Sequence, residues 1–262
     1  MSFSTLSPSS VSALRRGRYV TRVIESVQVQ DPQPQGPPDP NDPNDPTGPP
    51  RTYYRPNKTH QEFRIREDDH NREDIFVIGP QGGVYTSAVL DHGSWSGWSR
   101  IEDMGFLDGF TAAPQSSVSA IERDDHQEDI FIVGSDGGIY TNWVVDHGSW
   151  NKWIRIGEKN FTTSQSTVTA IKRDDHQVDI FVVDLNGGIY TNWVVDHGSW
   201  NKWIRIDDLS FPDGFTAQPE SIVGTVRRDD HQQDIFVVGR DGVIYTNWVV
   251  DHGPWNKWLP IP

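Results

Sequence analysis

The sequence feature that most constrains the fold is an internal repeat. Its four copies span residues 67–98, 123–153, 173–203 and 228–258, the first being the most divergent. The tryptophans that close the copies lie 55, 50 and 55 residues apart, and residues 137–156 are identical to residues 187–206. A period near 50 residues is typical of solenoids, propellers and repeat arrays.

Each copy predicts four short strands and no helix. In the second copy, apolar or alternating runs at 117–122, 129–134, 138–145 and 150–156 are separated by polar, glycine-rich turns. Four antiparallel strands in about 50 residues are one propeller blade. We therefore predict an all-β fold: a β-propeller of four-stranded antiparallel blades, four repeats per chain, with a Pro-rich N-terminal extension. The predicted blades span about 63–105, 117–160, 167–210 and 222–262.

The tryptophans bear on how the blades pack. All 11 lie within the repeats, and a single sheet cannot bury both faces, so blades must stack on each other. We expect most of these rings to form core between blades. The sequence leaves open whether four blades close alone or whether two chains form one eight-bladed ring. Four whole blades with no strand left over neither require nor exclude a partner chain, and the absence of any modified terminal repeat slightly favours the closed single-chain ring.

The N-terminal residues 1–59 differ from the rest. They begin with a basic, Ser-rich arm, and residues 31–50 contain nine prolines, a composition typical of an extended tether. We predict an arm and tether at 1–59 and a four-repeat propeller at 60–262. One hypothesis for the arm is that it docks the chain into a larger particle.

Charge and composition exclude several classes of function. Residues 1–59 carry a net +2 and the remainder a net −16, so the repeats have no electrostatic footprint for nucleic acid or an anionic membrane. No apolar run is long enough to span a bilayer. No signal peptide is visible, which predicts cytoplasmic synthesis with non-classical release or particle association and leaves the compartment open. The chain has no cysteine, and we predict no cofactor.

Two motifs recur in the loops. Asp-Asp-His occurs four times, ending at His70, His126, His176 and His231, and we interpret it as turn chemistry rather than a metal site. Asp146 and His147 precede a glycine, which favours either an Asx-type turn or a sugar contact.

A catalytic site needs unlike groups in separate roles, and the near-identical copies of the repeat argue against such a site. We predict that the protein is not an enzyme.

The repeat resembles that of the Photorhabdus-type propeller lectins. The resemblance rests on Asp-Ile-Phe-Val-x-Gly-x-Asp-Gly-x-Ile-Tyr-x-Asn-Trp followed by Gly-x-Trp-x-x-Trp, and it covers residues 63–262. It implies a lectin without catalytic activity that binds fucose-like or other neutral sugars in pockets between blades. Repetition of the pockets implies multivalent glycan binding.

The resemblance also implies the pocket residues, which lie on the third strand and the loop after it. The predicted sugar-binding residues are Tyr140, Asn142, Trp143, Asp146, His147, Tyr190, Asn192, Trp193, Asp196, His197, Tyr245, Asn247, Trp248, Asp251 and His252. The first repeat has Ser87 and Ala88 in place of Asn-Trp, so we predict that it binds nothing. The alternatives are a structural or receptor-binding component of a particle and, less favoured, a propeller glycoside hydrolase. A homo-oligomer and a protein partner of the arm are left open.

Overall fold

The chain folds into four similar sheets. The computed structural model describes residues 72–91, 93–101, 110–207 and 214–262, together with the backbone of the strand at 66–67. These residues form sixteen strands in four antiparallel sheets of four, without a helix, which confirms the predicted all-β architecture. We call the sheets blades 1 to 4 in chain order. The predicted arm and tether, residues 1–59, lie outside the described residues.

Strands follow one another across each sheet in chain order. Blade 1 contains β1 (Arg66–Glu67), β2 (Arg72–Ile78), β3 (Val84–Leu90) and β4 (Ser99–Arg100). Blade 2 contains β5 (Ser119–Glu122), β6 (Gln127–Val133), β7 (Ile139–Val145) and β8 (Ile154–Ile156). Blade 3 contains β9 (Thr169–Lys172), β10 (Gln177–Val183), β11 (Ile189–Val195) and β12 (Ile204–Arg205). Blade 4 contains β13 (Gly224–Arg227), β14 (Gln232–Val238), β15 (Ile244–Val250) and β16 (Leu259–Pro260).

The fourth strand is shorter than the sequence predicts. Strand β8 begins at Ile154, whereas the predicted strand begins at residue 150. The preceding residues form a loop that is tied to β7, because the Asn151 N–H donates to the Trp143 carbonyl at 2.9 Å. This loop places Trp150 and Trp153 for packing against neighbouring residues.

The hairpin between the second and third strands is a tight glycine turn. In blade 2 the Gly137 N–H donates to the Gly134 carbonyl at 2.9 Å, and Gly137 has a φ of +68°, a left-handed conformation that glycine adopts without strain. A Cβ at Gly137 would lie 2.7 Å from the Thr162 carbonyl, which belongs to the segment leading into blade 3. The turn therefore also sets how closely consecutive blades approach.

Alternate residues of the second strand face opposite neighbours. Ile130 and Ile132 pack in a cluster with blade 1, and Phe131 and Val133 pack in a cluster with blade 3. All four side chains are fully buried. We call the surface toward the next blade the forward face and the surface toward the preceding blade the rear face. The continuous apolar run of β6 is thus explained by burial on both faces.

An aromatic pair joins each blade to the next. A phenylalanine on the forward face meets a tryptophan on the rear face of the following blade, edge to face. The pairs are Phe76–Trp150, Phe131–Trp200 and Phe181–Trp255, with ring centroids 5.7, 5.4 and 5.7 Å apart and interplanar angles of 85°, 90° and 86°. Such pairs add about 0.5–1.5 kcal/mol beyond the area that they bury.

The second tryptophan of the Trp-x-x-Trp motif packs on the segment between blades. Trp153 stacks on Phe110 at 4.3 Å, and Trp258 stacks on Phe215 at 4.5 Å. Trp203 leans on Phe161 at 5.1 Å, and its indole N–H donates to the Ile156 carbonyl of blade 2 at 3.0 Å. These rings are core, as the sequence predicts for most of the tryptophans.

The four blades form an open arc. Three hydrophobic clusters join blades 1 and 2, 2 and 3, and 3 and 4, and among the described residues no such cluster joins blade 4 to blade 1. The first strands pack in the same sequence, β1 on β5, β5 on β9 and β9 on β13. The closed single-chain ring that the sequence slightly favoured is not what the described residues show. Closure would cover the rear face of blade 1, where Trp95 and Trp98 are 47% and 42% exposed.

The aromatic pair predicts a coupled loss of stability. Phe181→Ala should lower the free energy of unfolding by about 3–5 kcal/mol, because the fully buried ring leaves a cavity. A double-mutant cycle of Phe181→Ala with Trp255→Ala, followed by urea unfolding, should show a coupling of about 0.5–1.5 kcal/mol. Additive losses would contradict a direct contribution of the ring contact.

Candidate functional site

The loop between the first and second strands is closed by an aspartate. The backbone N–H groups of His126 and Gln127 both donate to the Asp124 carboxylate at 2.8 Å. Asp174 and Asp229 accept the equivalent bonds in blades 3 and 4. These two backbone donors lower the pKa of Asp229. The Asp-Asp-His motif is therefore an Asx turn in blades 2 to 4, and the structure places no metal-binding group of three or more His, Asp or Glu in its described part.

The loop after the third strand turns back sharply. Asp146 and His147 have φ values of +49° and +55°, and the Gly148 N–H closes the turn on the Val145 carbonyl at 2.9 Å. Two consecutive left-handed residues are typical of a type I′ turn. The Asp146 carboxylate does not close this turn but is hydrogen-bonded to His126 Nδ1 at 2.8 Å. The two loops of one blade are thereby linked.

The same carboxylate–imidazole link recurs in the next two blades. His176 contacts Asp196 at 2.8 Å and His231 contacts Asp251 at 2.7 Å. The hydrogen bond to the aspartate raises the pKa of each of these histidines, including His126. All of these side chains are exposed.

A second histidine reaches back to the preceding blade. In blade 3, His197 Nε2 lies 3.1 Å from the Asp124 carboxylate of blade 2, and its Nδ1 lies 3.1 Å from Gln127 Oε1. In blade 4, His252 Nε2 lies 3.4 Å from the Asp174 carboxylate. Polar side chains of two blades therefore meet at the same end of these two junctions.

An arginine lies below these loops at the junctions after blades 2 and 3. Arg123 pairs with Asp129, donates to the Asp196 carbonyl of the next blade at 3.1 Å and lies 5.9 Å from the Trp200 ring centroid. Arg173 pairs with Asp179 at 3.3 Å in blade 3. Burial raises the pKa of Asp179 to about 6. Charged groups this deep need partners on both sides, which ties the blades together.

A cleft of about 150 Å³ opens between blades 3 and 4. Its walls combine an arginine, carboxylates, imidazoles and amides. The lining residues are Arg173, Asp174, Asp229, Asp230, His231, Gln232, Gln233, Asp251 and His252. Donors and acceptors of both kinds converge here, which suits a polar ligand.

Gln233 is the most informative residue of this cleft. Its side chain is buried, and neither atom of its amide has a hydrogen-bond partner within the described part of the chain. An unpaired buried polar group costs about 1–3 kcal/mol, so a partner is expected. The equivalent positions are Glu128 in blade 2 and Val178 in blade 3. Gln233 is not among the predicted site residues. The signal in the sequence is that this position differs between repeats whose neighbouring positions are nearly identical.

The predicted asparagines belong to the blade framework. Asn142, Asn192 and Asn247 are fully buried. The Asn142 amide donates to the Asn151 carbonyl at 3.0 Å, and its oxygen accepts the Trp143 N–H at 2.7 Å. The same bonds recur in blades 3 and 4. A side chain with no exposure cannot touch a ligand in this structure, so we move these three residues out of the sugar-binding set.

The predicted tyrosines also pack between blades. Tyr140 is buried in the cluster between blades 1 and 2, and its hydroxyl donates to Asp136 at 2.8 Å. Tyr190 and Tyr245 lie at the edges of the next two clusters. Tyr245 donates to Asp241 at 2.9 Å. We therefore assign the tyrosines to the junctions, on the rear face of each blade.

The predicted tryptophans on the third strand occupy the forward face. In the strand register Trp193 stands opposite Asp179, two residues from the pair of Thr191 and Phe181. It is half-buried and lies on the face that meets blade 4. By the same register, Trp143 faces blade 3 and Trp248 lies on the forward face of blade 4. Ala88 occupies this position at the junction of blades 1 and 2.

The predicted loop residues lie at the junction rims. Asp146, Asp196 and Asp251 hold the histidine of their own blade, whereas His197 and His252 contact the preceding one. His147 is exposed and occupies the corresponding loop position in blade 2. The structure thus brings these residues together with the Asx-turn loops, which the sequence analysis had not included in the site.

Comparison with known proteins shows similarity to propeller lectins at the level of structure. The BP39L lectin from Burkholderia pseudomallei matches with a TM-score of 0.64 and 28% identity, over 73% of this chain and 52% of that one. A six-bladed fungal lectin from Aleuria aurantia, described with its fucose recognition, matches with a TM-score of 0.50 and 14% identity, over 73% and 57%. The microbial sialidase Hz136 matches at 0.52 and 11%, over 74% and 45%.

These similarities support the propeller fold of the repeats. The chain spans about half the length of the lectins that it matches. No family profile and no curated protein sequence match it. The resemblance to the Photorhabdus-type family therefore remains a prediction. No helix among the described residues is long and apolar enough to cross a membrane.

The titration of the loop histidines predicts a pH dependence of stability. A group whose pKa is raised on folding stabilises the native state below its unfolded pKa, and this contribution is lost as pH rises through the folded value. His126, His176, His231 and Asp179 all have raised pKa values. The free energy of unfolding should therefore fall as the pH rises, between about pH 4 and 6 through Asp179 and above about pH 6.5 through the three histidines.

Urea unfolding across this range measures the effect. Replacing His126, His176 and His231 together with asparagine should flatten the slope above about pH 6.5, since asparagine does not titrate. The slope between about pH 4 and 6 should remain, because it comes from Asp179. A wild-type stability that rises with pH over this range would contradict the assignment.

Proposed function

We propose that the chain is a multivalent lectin that binds fucose-like or other neutral sugars in the clefts between consecutive blades. The observation that carries the proposal is the cleft between blades 3 and 4, where the buried Gln233 amide has no partner in the described residues. An amide offers one acceptor and two donors, which matches vicinal hydroxyl groups. The similarity to the BP39L lectin supports the same class of ligand.

The chemistry of the cleft favours a small neutral ligand. At about 150 Å³ it is below the size of drug-binding pockets, roughly 300–1,000 Å³. Its carboxylates disfavour anions, and Arg173 is already paired with Asp179. Trp193 places an aromatic ring on the same face of blade 3, next to but not among the residues that line the cleft. Hydroxyl donors and acceptors beside an aromatic ring are what a pyranose needs.

Sites of this kind differ in number from the three that the repeats predict. Trp143 and Trp193 face complete junctions, whereas Trp248 lies on the forward face of blade 4, which no blade of the same chain covers among the described residues. Ala88 removes the ring from the junction of blades 1 and 2. We infer two complete sugar sites in one arc, at the junctions after blades 2 and 3.

Binding without turnover is part of the proposal. The same Asx turn, aspartate–histidine pair and arginine recur from junction to junction. Repetition raises avidity but does not create the unlike acid and base that glycoside hydrolysis requires. A panel of aryl glycosides should give no turnover with the purified protein, and measurable hydrolysis would support the hydrolase alternative instead.

Gln233→Leu separates a binding role from a structural one. Removing an unpaired buried amide should leave the stability unchanged or raise it by about 1 kcal/mol, and Val178 shows that the fold accepts an apolar residue there. Sugar binding at this junction should fall to that of the junction after blade 2, where Val178 stands at the same position. After a glycan array identifies a ligand, calorimetry should show the loss of affinity at one site per chain.

Gln165→Leu is the matched control, because Gln165 is exposed on the loop before β9 and hydrogen-bonds to Gln115 instead. It should leave the number of sites unchanged. If Gln233→Leu destabilises the fold and keeps every site, Gln233 is structural and the cleft assignment fails.

The forward-face tryptophans give a second test. Trp143→Ala, Trp193→Ala and Trp248→Ala together should weaken sugar binding at least about tenfold, or about 1.4 kcal/mol, while the near-UV circular dichroism stays native in shape. Ligand bound beside Ala88 with the same occupancy as at the other junctions would contradict the role of the ring. An unfolded triple variant would assign these rings to the core.

A further inference from the structure

The forward face of blade 4 repeats the docking surfaces of blades 2 and 3. Phe236 stands where Phe131 and Phe181 stand, but it is half-buried while they are fully buried. The Arg228 side chain is 62% exposed, compared with 11% for Arg123 and 15% for Arg173. Blade 4 thus has the residues that bind the next blade elsewhere in the chain, but their side chains are more exposed to solvent than in blades 2 and 3.

The hairpin glycines show the same difference. A Cβ at Gly82, Gly137 or Gly187 would lie within 2.7 Å of a carbonyl in the segment that enters the next blade. A Cβ at Gly242 would have no atom of the described residues within 4 Å. All four turns share a φ near +75°. The turn of blade 4 therefore has the same conformation as the other three, but no neighbouring segment in the described part of the chain packs against it.

The rear face of blade 1 is the matching surface. Trp95 and Trp98 occupy the positions of Trp150 and Trp153 in the repeat. They are 47% and 42% exposed, whereas Trp153 and Trp258 are 3% and 2% exposed. Ile75 is half-buried, while its equivalent Ile130 is fully buried. Exposed rings of this size mark an interaction surface.

We propose that the forward face of blade 4 binds the rear face of blade 1 of a second copy of this chain. The contact would repeat the three aromatic pairs inside the chain, with Phe236 edge-on to the partner's Trp95. Arg228 would lie over that ring as Arg123 lies over Trp200. Hydrogen bonding is complementary as well, because Arg228 takes the place of Arg123, which donates to the backbone carbonyl of Asp196, and the partner's Asp91 holds that position. Forward faces of this kind already bind rear faces of this kind at three junctions inside the chain.

Two copies joined in this way use every free face. Blade 4 of each copy meets blade 1 of the other, so the contact occurs twice about a two-fold axis and closes an eight-bladed ring. A head-to-tail contact that did not close would grow into filaments. The new junction also completes a cleft that holds Trp248 and Asp229, so that each chain gains a third site. This last step rests on the proposed function, whereas the contact itself does not.

Sedimentation of the full-length chain without sugar tests the contact. We expect a species of twice the 29.7 kDa chain mass. Trp95→Asp and Arg228→Glu, both at exposed positions, should each weaken it about thirtyfold or more, as expected for losing an interface hot spot. Leu185→Asp is the control, since Leu185 is equally exposed on a blade 3 hairpin and should leave the dimer intact.

Cross-linking identifies the surfaces that meet. Arg240 of blade 4 donates to the Asn186 carbonyl of blade 3 at 2.5 Å, and the equivalent pair at the new junction is Asp241 with the partner's Pro80. The chain has no cysteine, so Asp241→Cys and Pro80→Cys chains can be mixed and treated with a short bis-maleimide. A cross-linked dimer is expected, and Asn186→Cys with Arg240→Cys in one chain is the positive control.

Three results would overturn the proposal. A monomer at all concentrations would do so, as would a dimer that is insensitive to Trp95→Asp and Arg228→Glu. In a chain that carries both Asp241→Cys and Pro80→Cys, a cross-link within the chain and without a dimer would show a closed four-bladed ring instead. Sugar binding is not read in any of these experiments, so a failed lectin assignment leaves them interpretable.

Discussion

The edge-to-face contact between a forward-face phenylalanine and the tryptophan of the next blade is the interaction on which the rest of the structure depends. A four-stranded sheet with apolar residues on both faces has no stable form alone, and the Phe131–Trp200 contact fixes how the next sheet covers it. The buried Arg123–Asp129 pair then has walls on both sides, and its arginine can reach the Asp196 carbonyl across the junction. The polar loops meet above this core because the core has already set the distance between blades. The clefts are therefore a product of blade packing, and no loop builds one alone.

This dependence explains which parts of the structure could be predicted from the sequence. The period, the turn glycines and the apolar runs of β6 and β10 report local structure and burial, so the four strands per repeat were predictable. The roles of Asn142 and Tyr140 were not, because an asparagine beside a tryptophan is equally consistent with a sugar contact and with a buried clamp on a loop. The clamp on the Asn151 carbonyl becomes visible only when the loop is placed. Gln233, in contrast, could have been found from the sequence. A comparison of the repeats shows Glu128, Val178 and Gln233 at the same position of an otherwise regular repeat.

Ring closure lay beyond the sequence for a different reason. The angle between blades depends on the summed thickness of the two side-chain layers that meet at a junction, and the repeat sequence alone does not give that sum. The result is visible in the structure, where Trp95 and Phe236 remain partly exposed. The specificity of each cleft also depends on the placement of the blades, because residues of two blades line it. A change in blade spacing would alter every cleft at once, whereas a change at position 233 alters one.

Near-identity of the junctions also has a cost during folding. The docking face of a blade cannot distinguish its own successor from the same blade of another molecule, because residues 137–156 and 187–206 are identical. What selects the correct neighbour is the short connection along the chain, which keeps the next blade at an effective concentration in the millimolar range. Crowded chains compete with that value, so concentrated unfolded protein is expected to exchange blades and to form run-on chains of domain-swapped molecules. The regularity that makes the repeat easy to recognise thus makes its assembly sensitive to how many copies fold together.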